Sequence, residues 1–102
     1  MLPAKIVFGA MEYPVFQCRG LEEEGRELAG SVDMVKSEIF VDERSGEGRF
    51  QAQTLTHEVI HIMMTQMGLE DDEYSVERWA YSILMLIKYN PELIKYLQEK
   101  LG

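Results

Sequence analysis

The sequence predicts an α+β domain: a small, three-stranded, mainly antiparallel sheet packed on one buried helix and two further helices. Three observations carry this. The chain up to Glu43 is rich in Val, Ile, Phe and Tyr between turn residues, the segment from about Phe50 to Met67 has neither proline nor glycine, and Asn90-Pro91 separates two more stretches of helical apolar spacing. At 102 residues and 46% hydrophobic, the chain suits a single domain, 1–102, with one modest core.

"KIVFGAMEYPVFQC" reads as the first strand, with Gly9 and Pro14 restricting it to an edge or bulged position. "LEEEG" reads as a charged, solvated turn, since consecutive carboxylates do not converge on one point. "ELAGSVD" and "SEIFVDE" make two further strands around Met34 to Lys36, with Ile39 and Val41 alternating against Glu38, Phe40 and Asp42. The glycines of "RSGEGRF" read as a flexible turn and not a phosphate loop, because no Gly-Lys-Ser/Thr follows.

The first helix runs from about Phe50 to Met67 and Gly68 ends it. Leu55, Val59 and Ile62 line one face and Ile60, Met63 and Met67 the next, so most of its circumference is apolar and it belongs in the interior. Asp71 and Asp72 can cap a second helix to about Tyr89, with Val76, Ala80, Ile83 and Ile87 at helical spacing. Asn90 and Pro91 stop it and start a third helix, with Glu92 at the positive end of its dipole.

A net charge of −8 and a sequence pI near 4.7, with no basic cluster, argue against nucleic acid and acidic membrane surfaces. The broken N-terminal segment is no signal peptide, and Ala80 to Ile87 is far too short to span a bilayer. The single cysteine, Cys18, forms no internal disulfide; a cytoplasmic location is expected. Cys18 reads as a small core residue, with a fourth metal ligand or a latency switch as alternatives.

Both histidines lie in "THEVIHIMM". On a helix, His57 and His61 stand one turn apart on one face and can aim imidazole nitrogens at one ion about 2 Å away. Glu58, about 100° around the helix, stays off such an ion but close to a water beside it, the place of a general base. Two imidazoles left unpartnered on a buried helix would cost a few kcal/mol, whereas one shared zinc ion accounts for both. A third ligand is then required. Among the acids downstream, Glu70, Asp71, Asp72 and Glu73 sit in or beside the turn, where capping and solvation are their ordinary work. Glu77 lies inside the second helix on the flank of its apolar face, as a ligand or as a plain surface glutamate.

"TLTHEVIH", followed by "SVERWAYSILMLI" and "NPEL", resembles the zincin metallopeptidases of the gluzincin type, in which the third ligand is a glutamate on the next helix. "AGSVDMVKSEIFVDE" leading into "QTLTHE" resembles the very small members of that type, the minigluzincins and similar phage and prophage proteins. The likeness implies a zincin-like active-site helix, zinc held by His57, His61 and Glu77, and Glu58 as base in peptide hydrolysis. It implies a peptide or protein substrate along the strand nearest the helix, expected to be "SEIFVDE". Many gluzincins carry an aspartate four residues after the ligand glutamate to orient a histidine, where this chain has Tyr81. Tyr74, Tyr81 and Tyr89 form the pool for an oxyanion-stabilising group. A zinc-stabilised binding or regulatory module is the non-catalytic alternative, and Met63, Met64 and Met67 are either core filling or an adaptable binding surface.

Overall fold

The computed structural model describes residues 1–46 and 48–102. In chain order it forms β1 (Lys5–Phe8), β2 (Met11–Cys18), β3 (Glu22–Glu23), β4 (Arg26–Glu27), β5 (Gly30–Asp33), β6 (Glu38–Asp42), a 3₁₀ turn (Glu43–Ser45), α1 (Arg49–Gln66), α2 (Glu73–Tyr89) and α3 (Pro91–Leu101). The turn expected at "RSGEGRF" runs through Glu47, which lies outside the described residues.

The α+β class holds, but the main sheet is four-stranded and mixed instead of three-stranded and antiparallel. Its order is β1-β2-β6-β5; β2 and β6 run parallel, and the other two pairs antiparallel. The segment expected to be one strand folds at Gly9, whose φ of 62° lets β1 turn back onto β2. Pro14 is tolerated inside the sheet because β2 pairs in two halves, β1 along Met11–Pro14 and β6 along Val15–Cys18. Val15 N–H donates to Ala4 O at 2.9 Å, so the missing Pro14 N–H falls on the β6 side, before pairing with β6 begins. "LEEEG" holds a separate two-stranded hairpin, β3 with β4. "SEIFVDE" is β6, flanked by β2 and β5, so it has no free edge for a substrate; the edge strand beside α1 is β5.

Helix α1 lies between the sheet and α2. Ile62 packs with Tyr13, Ile39 and Val41 on the sheet side, supported by Leu55, while Ile60 and Met64 pack with Val76 and Ala80 of α2. Gln66 Nε2 donates to Tyr13 Oη and ties the end of α1 to β2. After α1 the chain reverses at Gly68 (φ 71°): Gly68 N–H reaches Thr65 O at 3.1 Å and Leu69 N–H reaches Met64 O at 2.9 Å, a Schellman closure.

Asp42 ends β6 only 1% exposed. Its carboxylate accepts from Leu21 N–H and Arg44 N–H, both at 2.8 Å, and from Arg44 Nε and Nη2 at 3.0 and 2.8 Å. The Arg44 guanidinium, chiefly, holds this carboxyl well below the usual carboxylate range against the opposing effect of desolvation.

Candidate metal centre and cleft

His57 and His61 come together as their spacing requires. Their ring centroids are 4.9 Å apart at 67°, and the two Nε2 atoms face each other at 3.2 Å. The opposing wall is the start of α2. Asp72 caps that helix, accepting from Ser75 N–H at 2.8 Å, which frees Asp71 and Glu73 from capping and turns them toward α1.

Glu73 bridges the imidazoles: Oε2 lies 3.0 Å from His57 Nε2 and Oε1 lies 2.9 Å from His61 Nε2. His57, His61 and Glu73 thus form a compact three-residue donor group. Glu77, expected at this position, stands one turn along α2 with Oε2 3.2 Å from His57 Nδ1, on the other side of the ring. Asp71 Oδ1 lies 2.6 Å from His61 Nδ1. A carboxylate only accepts, so His61 Nδ1 must donate to it; the neutral ring then presents Nε2 as a lone pair. With that ring neutral, lone pairs from an imidazole and a carboxylate converge beside a second imidazole, an arrangement relieved by a shared cation or by a proton on a facing Nε2. With one donor atom from each residue, the three atoms lie within 4.8 Å of one another. Borderline imidazole nitrogens with a carboxylate oxygen are a donor set that could hold a metal ion.

Glu58 points into the gap between α1 and β5 and is 7% exposed. Among the described residues no N–H donates to its carboxylate. Burial pushes it up to about 7; Glu73 and Asp71 add to the rise and His57 opposes it. The fit against β5 depends on Gly30. A Cβ there would lie 2.7 Å from Thr54 Cγ2 and 3.2 Å from both Glu58 Oε2 and Phe40 O.

These groups line one cleft of about 820 Å³, walled by Gly30, Ser31 and Val32 of β5, the His57 face of α1, and Glu73, Glu77, Tyr81 and Leu84 of α2. Of the three tyrosines in the expected pool, Tyr81 lines the cleft. Tyr74 instead takes a bond from Arg78 at 2.9 Å on the outer side of α2, and Tyr89 lies at that helix's end. Cys18 is half-buried at the end of β2, its Sγ 3.8 Å from Val41 O and outside the cleft lining. Met64 is buried and Met63 half-buried in the α1–α2 core, while Met67 is exposed.

Sequence reasoning assigned Asp71 and Glu73 to capping and solvation of the turn, whereas the structure sets them against His61 and His57. A signal was present: four consecutive acids, Glu70 to Glu73, supply more groups than one helix N-terminus can use. Comparison with family models, curated proteins and solved structures yields no match to this chain.

Proposed function

We propose that the protein is a zinc-dependent peptidase with His57, His61 and Glu73 as ligands and Glu58 as general base. The observation that carries this reading is the pairing of a converged donor set with a buried carboxylate that faces the same cleft and takes no part in that set. Asp71 and Glu77 hold the two Nδ1 atoms, supplying the ring orientation for which Tyr81 offers no carboxylate. Glu77, the ligand implied by resemblance, becomes the positioning group in this reading, and substitution distinguishes the two glutamates.

Bound zinc would supply Lewis acidity toward water and the scissile carbonyl. The remaining work falls to the chain. The β5 edge offers backbone groups against which an extended substrate can pair. Glu58, pushed up to about 7 by burial, is matched to accept a proton from the attacking water and deliver it to the departing amine as the C–N bond breaks. Tyr81 is the hydroxyl available in the cleft to a developing oxyanion.

A second reading is a metal staple without catalysis, favoured by the small α1–α2 core: Ile60, Met64, Val76 and Ala80. Glu58→Gln separates the two readings, because it removes the base and no ligand. Wild type and variant, both zinc-loaded, would be incubated with a diverse peptide library, with chelator controls, and the products read by mass spectrometry. Cleavages made only by wild type and abolished by chelator are expected. Stoichiometric zinc with no cleavage in either protein would leave the staple.

A further inference from the structure

Helix α3 is out of balance with the rest of the fold. It is eleven residues long, below the roughly 12–15 at which an isolated helix becomes even marginally stable in water. Tertiary packing must therefore hold it, yet none of its residues is buried and its main contact within the chain is with α2. Leu93, Leu97 and Leu101 recur at i, i+4 and i+8 and so share one face, and all three are exposed. On α2, Trp79 and Leu86 are seven residues apart on one flank and also exposed.

We propose that α3 and this outer flank of α2 form a two-fold interface with a second copy of the chain. The available area is of the right size. Trp79, Leu86, Leu93, Tyr96, Leu97 and Leu101 are exposed by 39–87%. Taking ~150–250 Å² for a large side chain, they offer on the order of 700 Å², near the ~800 Å² per partner of a standard interface.

Charge selects the same face and the same occupant. Residues 1–73 hold fifteen acidic and six basic side chains, so copies meeting there repel; residues 74–102 hold three acidic and four basic ones. This nearly neutral, apolar end is where two chains of net charge −8 can approach closely. A two-fold arrangement applies each apolar patch to its own copy, which needs no other complementary surface.

The interface leaves the cleft open. Glu73, Glu77, Tyr81 and Leu84 line the cleft, whereas Trp79 lies with Tyr74, Ser75, Arg78 and Ser82 in a separate shallow depression.

Sedimentation velocity over a concentration series, with and without chelator, tests this. A dimer with a dissociation constant on the order of micromolar is expected, independent of metal. Leu97→Glu and Leu86→Glu alter exposed positions, so circular dichroism should stay native while dissociation rises at least about tenfold for each. A Leu69→Glu control, also at an exposed leucine but before α2, should leave association unchanged. Wild type that stays monomeric to roughly 100 micromolar, or a dimer indifferent to both substitutions, overturns the proposal.

Discussion

Asp42 and Glu58 are both buried carboxylates, and the fold treats them in opposite ways. Asp42 meets four donors, from Leu21 and Arg44, and stays ionised. Glu58 is desolvated by burial, with Gly30 beside it and other acids nearby, and is driven toward protonation. The Asp42 corner satisfies itself and holds β6 to the Leu21 strand connection. Glu58 lines the cleft instead, and among the described residues no N–H donates to its carboxylate. This difference separates a group that maintains the fold from a candidate functional group.

The largest effect that would sharpen this contrast is on metal binding. His57→Ala or Glu73→Ala should weaken zinc affinity by about 1,000-fold, a share of the ~10–16 kcal/mol that a full zinc site supplies. Asp42→Asn should leave that affinity unchanged and lower the thermal midpoint by several degrees. Competition titration with a chromophoric chelator, beside thermal melts, measures both. Zinc affinity equally insensitive to both site variants would break the contrast.

The pH dependence of stability comes next, and the two carboxylates act with opposite sign. In the metal-free protein Glu58 binds its proton more tightly folded than unfolded, so stability falls as pH rises from about 4.5 to about 7. That shift corresponds to about 3 kcal/mol, and Glu58→Gln should abolish it. Asp42 binds its proton less tightly when folded, so its contribution is complete above the unfolded value of about 3.9 and is lost as pH falls below it. Asp42→Asn should flatten that acid limb. Denaturant titrations from pH 3 to 8 would show both slopes, and a Glu58→Gln curve parallel to wild type would remove the claimed burial penalty.

Two smaller effects follow. Gly30→Ala presses a methyl group onto Thr54 and Glu58; relief requires β5 and α1 to part, at about 2 kcal/mol of stability with peptidase activity falling alongside. Asp71→Asn keeps an acceptor for His61 Nδ1 but removes its charge, and zinc affinity should drop only roughly tenfold. Glu77→Gln should act similarly through His57, whereas a loss matching Glu73→Ala would return Glu77 to the ligand set.

What the sequence disclosed follows the range over which each signal acts. His57, Glu58 and His61 were readable because helical geometry relates them through one turn. The helix limits were readable because Gly68, Asp72 and Pro91 act locally. Asn90 stands at the N-cap position of α3 without a side-chain cap bond; its Nδ2 donates to Leu86 O at 2.9 Å and closes α2 instead. The sheet was misread where pairing is distant, since the parallel match of Val15–Cys18 with Ile39–Asp42 leaves no local trace. The choice among Asp71, Glu73 and Glu77 depended on which acid would cap α2. Once Asp72 takes that place, its neighbours are free, a competition that composition does not reveal.

Helix α1 contacts the sheet with one face, α2 with a second and the cleft with a third. The α1 side of the candidate site is therefore held from three directions, while Asp71 and Glu73 stand before and at the start of α2. Backbone amides of α1 around His57 to His61 should exchange with solvent only through opening close to the global unfolding limit, while those of α3 in the dissociated chain exchange through fraying. Melting of the α1 side of the site alone is thus costly for this architecture. Proteolytic nicking should begin at the periphery and leave α1 intact until the whole domain gives way.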